Sequence, residues 1–388
     1  MRLQALRSAA ITAAVVLASF VAAGLLIMVS GANPLVGLQG FVSGLFGSPY
    51  RIGELLVGAV PIGIVALTLI PALRAGVFSV GAEGQVAIGA LTSGAVMLAI
   101  GDGAPAPVYW LGGAVAGALG GAVVSLLPAF LLVRWGVNEI LSTLLLNYIA
   151  AGFLAFSLRT WLGTDEAVAT PQSDPLPDAA KLPSLIPHTR AHLGILAMIV
   201  IAAAFVWWRR TAAATRIAVF AERPRFAERL GVSRAGTIYR TMLVSGLGAG
   251  LVGYLQLAGL NSRIYTSVTG GVGFSGIAVA LLGQLVPAGI VLSAVLFSAL
   301  TVGAAGIQSA TGSIPSSIAD VIKAVILLGI AGAMGAAARR QTIAPRTPAP
   351  DAPDPAGDER ATGDSAVDPA HVPEGRSTRT VDDQGAAR

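Results

Sequence analysis

Cysteine is absent from the 388 residues, and histidine occurs only three times. Without thiolates there is neither a disulfide scaffold nor a thiolate metal site, and three scattered histidines do not compose a zinc site. Charge is scarce as well: 12% of residues are Asp, Glu, Lys or Arg, about half of what a soluble domain carries. No G-x-x-x-x-G-K-[ST] run occurs, so the chain does not cradle ATP phosphates in the P-loop manner. Nor is there a constellation of nucleophile, base and metal ligands, and the chain does not read as an enzyme.

What is present is apolar. Hydrophobic residues make up 54% of the chain, with 48 glycines and a mean hydropathy of +0.75, the composition of an all-α polytopic membrane protein. The isoelectric point near 10.0 does not indicate nucleic acid. From Gln341 onward five basic and nine acidic residues give −4 against +5 for the whole chain, leaving +9 before it. That excess lies beside apolar segments without aromatic interleaving, so it is a topology signal.

Arg2 and Arg7 precede an apolar run, Ala9 to Ser30, of the roughly 20 residues a spanning helix needs. It is too long for the core of a signal peptide, and further spans follow. Gly31 to Tyr50 reads as a short interfacial connection. Further spans are expected over Ile52 to Ile70, kinked at Pro61; Val77 to Ile100; Val108 to Val133; Asn138 to Leu158; Leu193 to Trp208; and Thr241 to Leu260. Phe274 to Ile307 is interrupted by Gln284, Pro287 and Gly289 and reads as a half-helix, a turn and a full span. Ile318 to Ala338 is the last span. Gly113, Gly117 and Gly121 recur every four residues, a smooth groove for a neighbouring helix. The Pro-rich stretch Arg159 to His192 reads as an external loop.

Eight arginines and no lysine lie between Arg209 and Arg240, the firmest marker of an inner loop. Within it Arg223 to Leu230 is expected to form a short helix, with Pro224 in its first turn, Phe226 and Leu230 on one face, and Gly231 ending it. The residues divide into a transmembrane domain, 1–340, and a Pro- and Asp-rich tail, 341–388, expected to be disordered and cytoplasmic.

The expectation is therefore about ten transmembrane helices, with both termini inside, in two inverted five-helix halves. In that alignment Phe78-Ser79-Val80-Gly81 of the third span corresponds to Phe274-Ser275-Gly276 of the eighth. Paired interrupted segments in inverted halves point to a substrate pathway near the midplane. Ser79, Glu83, Gln85, Asn147, Phe274 and Ser275 are the candidate pathway residues. Glu83 is an ionisable group where lipid would otherwise be expected, which costs about 2.5–3.5 kcal/mol unless it faces a cavity or partner. It either lines the pathway or pairs with Lys323. In a regular helix Ser79 and Glu83 share a face and Gln85 points away, unless Gly81 and Gly84 break that regularity. Glu139, Thr143 and Asn147, four apart, form a stripe that serves as interhelical glue or as pathway, with Asn147 the pathway candidate. Asp320 and Lys323 pair within their own helix. Gly271-x-Gly273-x-x-Gly276 matches a dinucleotide fingerprint, but no strand precedes it and the match is discarded.

Four stretches, RAGVFSVGAEGQ (Arg74 to Gln85), NEILSTLLLNYIA (Asn138 to Ala150), RIAVFAERPRFAERLGV (Arg216 to Val232) and GFSGIAVALLG (Gly273 to Gly283), together resemble the permease subunits of bacterial ABC importers. The likeness is to the branch that takes up nucleosides and simple sugars, and is closest to the nucleoside-type permeases. It covers roughly residues 10 to 338. Ser79 and Val80 stand where the family usually has Asn-Ile, Arg223 where an asparagine is usual, and Ser275 where an acidic residue is common. The resemblance implies a multi-pass protein of the bacterial cytoplasmic membrane, with a separate ABC ATPase, a second permease subunit in a heterodimer, and an extracellular substrate-binding lipoprotein. It assigns docking on the ATPase to the short inner helix, with Glu222, Phe226, Glu228, Leu230 and Gly231. ATP and magnesium belong to that partner, and this chain carries no cofactor. An ion-coupled secondary transporter also uses inverted repeats and is the rival reading.

Overall fold

The computed structural model describes residues 33–164 and 170–312, together with isolated positions between 21 and 31 and at 321 and 324. Twelve α-helices are described: α1 (Pro34–Phe46), α2 (Pro49–Thr68), α3 (Ile70–Arg74), α4 (Ala82–Ile100), α5 (Ala106–Trp135), α6 (Glu139–Thr160), α7 (Gly194–Trp208), α8 (Ala212–Glu222), α9 (Pro224–Arg229), α10 (Arg234–Gln256), α11 (Val272–Leu282) and α12 (Pro287–Thr311). A π-helical turn, Leu257–Asn261, ends α10.

Six helical segments are long and apolar enough to cross a membrane, seven if α7 and α8, bent by 71°, count as one span. The chain is a multi-pass membrane protein. Every span expected within the described residues coincides with a helix. The first and last expected spans and the tail, with the Asp320 and Lys323 pair, lie outside those residues, so the count of ten and the inverted orientation are not established by the helices described.

The small-residue groove does what its spacing implies. A Cβ on Gly117 would meet the Gly250 carbonyl of α10 at 2.9 Å, and one on Gly121 would meet the Gly250 Cα at 2.7 Å. Packing this close gives dispersion contacts that a larger residue would forbid. On the opposite face of α5, Leu111, Val115, Leu119 and Val123 are exposed at the same spacing, a surface suited to lipid. The span from Pro49 to Arg74 is the most enclosed, 89% buried against 28% for α6. Pro61 is accommodated inside α2.

One expectation is corrected, and one helix is added. The connection Gly31 to Tyr50 contains a 13-residue helix, α1: Asn33 caps it, Pro34 opens it, and Gly40 and Gly44 seat it against Gly306 of α12. The sixth span is present where expected, as the 15-residue α7, about 22 Å long. It stops at Arg209 and Arg210, and the chain resumes as α8 within the arginine-rich stretch, where only the shorter Arg223 to Leu230 helix was expected.

The Pro-rich stretch before α7 is ordered where described. The Ser173 N–H donates to the Ile264 carbonyl (3.1 Å), Leu176 N–H to Ser262 (2.8 Å) and Leu182 N–H to Ala258 (2.9 Å). These bonds satisfy one carbonyl of the π-turn that ends α10 and two in the loop that follows it. The Arg190 guanidinium makes a two-pronged salt bridge to Glu54 at 2.8 and 3.1 Å; that bond raises its pKa above the ordinary arginine value.

Candidate functional site

The third span does not start as a helix. Gly76, at φ +78°, closes α3 with the Val77 N–H on the Ala72 carbonyl (3.0 Å), a left-handed helix stop. Val77 to Val80 then run without regular structure, and α4 begins at Ala82. The interruption read from the sequence is this break, and it leaves backbone groups to be satisfied inside the protein.

Helix α6 supplies the partners. The Val80 N–H donates to Thr143 Oγ1 (3.2 Å), while the Thr143 hydroxyl donates to the Glu139 carbonyl (2.6 Å). The Asn147 amide bridges the break: its Nδ2 donates to the Val80 carbonyl (2.9 Å) and its Oδ1 accepts from the Gly84 N–H (2.9 Å). Thr143 and Asn147 are buried, and of the two readings offered for the stripe, these bonds are those of glue. Glu139 lies at the start of α6 and takes part through its carbonyl.

Glu83 is the second residue of α4. Its carboxylate accepts from the Gly271 N–H (Oε1, 3.1 Å) and the Gly273 N–H (Oε2, 2.8 Å). Gly271 is the N-cap of α11, at φ +76°, and has no side chain to cap the helix itself. One carboxylate therefore closes the start of α11 while lying in the first turn of α4, where negative charge is favoured by both helix dipoles. The approach requires glycine: a Cβ on Gly273 would come within 2.6 Å of the Glu83 Cα. The two interrupted segments aligned as inverted partners are thus brought into direct contact at their helix starts.

The remaining candidates are distributed around this junction. Ser79 is fully buried, and its hydroxyl accepts from the Gly81 N–H (3.4 Å). Because α4 starts after it, Ser79 and Glu83 do not share a helical face. Gln85 lies within the regular part of α4 and is also buried; neither amide atom finds a partner among the described residues. The expected irregularity at Gly84 is absent, so Glu83 turns to α11 and Gln85 toward Gly81 and Thr143. Phe274 is exposed and Ser275 half-buried, next to the carboxylate's donors. Lys323, the alternative partner of Glu83, lies outside the described residues. Both donors belong to the discarded Gly271-x-Gly273-x-x-Gly276 match, which the sequence did not connect with Glu83.

The arginine-rich loop forms α8 and α9. Helix α9 spans Pro224–Arg229, opens on proline and is followed by Gly231 at φ +80°. Ala227 is buried, whereas Phe226 (51%) and Leu230 (61%) are exposed apolar side chains; Glu222 and Glu228 are exposed beside them. Ala227 belongs to one apolar cluster with Phe220, Ile238, Met242, Ala129 and Val77. That cluster connects the short helix to the beginning of the break before Glu83.

Residues 51–331 match the family described as the branched-chain amino acid transport system permease component. The guanosine ABC transporter permease protein NupP of Bacillus subtilis is 32% identical over 80% of this chain and 89% of its own length. The glucose ABC transporter permease protein TsgB13 of Haloferax volcanii is 32% identical over 72% of this chain and 76% of its own. The nucleoside ABC transporter permease protein NupB of Lactococcus lactis is 29% identical over 80% and 87%. With spanning helices broken and rejoined at Glu83 and a match across most of its length, the chain belongs to the permease-component family of branched-chain amino acid transport systems.

Proposed function

We propose that this chain forms the translocation pathway of an ATP-binding-cassette importer for nucleosides, with Glu83 and the break before it lining the route. The observation that carries the reading is the junction itself: two interrupted helices start at one carboxylate, and an apolar cluster runs from the break to Ala227 of α9. An element built from few internal helical bonds is suited to move, and a packed cluster is suited to transmit that movement. Phe226 and Leu230 dock on a separate ATPase, with Glu222, Glu228 and Gly231 shaping the contact. Hydrolysis of ATP, with its magnesium, takes place on that partner.

The same proposal includes about ten spans in inverted halves, both termini inside a bacterial plasma membrane, a membrane domain over 1–340 and a cytoplasmic tail over 341–388. A second permease subunit completes the pathway in a heterodimer, which would cover Phe274 and Ser275, and an external lipoprotein delivers substrate. Nucleic acid has no part in it. The names of NupP and NupB favour nucleosides; the equal identity to TsgB13 supports a simple sugar as the second reading.

The test is uptake of radiolabelled guanosine and of glucose into proteoliposomes holding the chain with the ATPase, permease and binding protein that co-purify with it. The expected result is vanadate-sensitive guanosine uptake that requires ATP. Glucose uptake alone selects the second reading. Uptake driven by an ion gradient without ATP overturns both.

A further inference from the structure

A cavity of about 460 Å³ lies where α7, α8 and α10 meet the start of α3. Its inner wall is apolar: Phe205 and Trp208 of α7, Ile217 of α8 and Val244 of α10. Arg216 and Arg240 are also part of its lining, and both are exposed. Among the described residues neither guanidinium has a carboxylate partner; the two salt bridges present are Lys181 to Asp178 and Arg190 to Glu54. Arg209 and Arg210 follow Trp208 directly in sequence.

We propose that this cavity is a binding site for an anionic phospholipid, with an acyl chain between α7 and α10 and the phosphate on Arg216 and Arg240. The cavity is amphipathic in the sense such a lipid requires. Its walls belong to α7, whose Leu196, Ile199 and Val200 are exposed apolar side chains, and to α10, and its cationic residues come from the arginine-rich loop. Tryptophans gather at the headgroup level of membranes because the indole is apolar with one polar edge, and Trp207 and Trp208 lie at this site. Basic pockets between helices on the inner side attract anionic headgroups, at about 1 kcal/mol per arginine near the surface. Two arginines therefore correspond to a preference of at least roughly tenfold over a zwitterionic lipid. A soluble anion would use the arginines but leave the apolar floor in water, and a docked protein would not need the floor.

The full chain, reconstituted in vesicles of zwitterionic lipid, is titrated with brominated phosphatidylglycerol or with brominated phosphatidylcholine while tryptophan fluorescence is read. Quenching is expected at a lower mole fraction of the anionic lipid. A Trp207→Phe, Trp208→Phe double variant is expected to lose that difference, which assigns it to this site among the five tryptophans. Arg216→Gln with Arg240→Gln is expected to abolish the preference, and lysines at both positions to retain it. Ala204→Phe, which fills the cavity and keeps the charges, is expected to abolish it as well. Equal quenching by the two lipids overturns the proposal. Competition by soluble glycerol phosphate, or a preference that survives Ala204→Phe, shows an anion site without an acyl pocket and overturns it too. Loss of ATPase co-purification in the glutamine variant with unchanged lipid preference assigns the arginines to a protein interface, with the same consequence.

Discussion

Glu83 and Gly273, 190 positions apart, are joined by a hydrogen bond of 2.8 Å from the glycine N–H to a carboxylate oxygen. It makes the start of α11 dependent on a side chain of α4. A carboxylate can accept at both oxygens; glutamine offers one oxygen and an amide that meets an N–H with another N–H. Glu83→Gln should therefore leave one helix-start N–H unmet, costing about 1–3 kcal/mol, and should depress uptake more than it depresses expression. Thermal melts in detergent and proteoliposome uptake measure the two effects separately. Wild-type values for both would remove the case for an essential carboxylate.

Asn147 holds both sides of the break before α4. Asn147→Asp keeps an acceptor for the Gly84 N–H but presents a second acceptor to the Val80 carbonyl, so it should be worse than the loss of one bond. Asn147→Leu loses both, and about 1–3 kcal/mol of stability for each buried group left unpaired. Thr143→Val removes only the Val80 N–H bond and its own bond to Glu139. A double-mutant cycle on Thr143 and Asn147 should show coupling, because both hold Val80, one at its N–H and the other at its carbonyl. Additive melts would mean that the two side chains act separately.

Glycine substitutions should divide by neighbour. A Cβ on Gly250 would run into the Gly117 backbone, which cannot step aside, so Gly250→Ala should destabilise by about 1–3 kcal/mol. Gly152, in the middle of α6, has nothing within 4 Å of the same position. Gly152→Ala should be neutral or stabilising by up to about 1 kcal/mol, since alanine is the better helix former. Equal melting temperatures for the two variants would refute the close α5 and α10 contact.

Aspartate at Phe226 or Leu230 changes two exposed side chains and should leave insertion and melting temperature within about 0.5 kcal/mol of wild type. Uptake should fall to background and ATPase co-purification should be lost. Ala227→Asp should differ: Ala227 is buried in the cluster that contains Val77, and an unpaired charge there costs folding. Normal uptake in the Phe226 and Leu230 variants would separate α9 from coupling.

The sequence disclosed those features whose cause is local. Pro224 and Gly231 bound a helix, glycines at 113, 117 and 121 mark a groove, and Gln284 with Pro287 separates α11 from α12. Partners without a side-chain identity stayed hidden. Glu83 is visible as an anomaly, but backbone N–H donors carry no letter of their own, so the sequence offers only a pathway role or a Lys323 partner for it. The discarded Gly271-x-Gly273-x-x-Gly276 match is instructive here. Its positive-φ glycine exposes N–H groups to an anion as it would in a nucleotide site, yet the anion is the chain's own carboxylate. Helix α1 reads in sequence as a short interfacial connection because the glycines that pack against Gly306 are indistinguishable there from those of a loop. Helix α8 was read as loop because it lies in a stretch marked by its arginines, though it holds only Arg216 itself.

His192 gives a pH dependence whose sign follows from burial. The ring is buried before α7, where Nδ1 accepts from the Gly194 N–H (3.0 Å), and desolvation lowers its pKa from 6.5 to about 4. Between those values the unfolded chain binds a proton that the folded chain refuses, so stability is full above pH 6.5 and falls as pH drops toward 4. A shift of this size corresponds to roughly 3 kcal/mol; protonation would also remove the acceptor that holds the Gly194 N–H. His192→Asn keeps an oxygen for the Gly194 N–H and cannot titrate; its melting temperature should lose this component of the acid dependence while matching wild type near neutrality. Melting temperatures from pH 7.5 to 4 in detergent measure it, and parallel curves for the two proteins would place the acid sensitivity elsewhere.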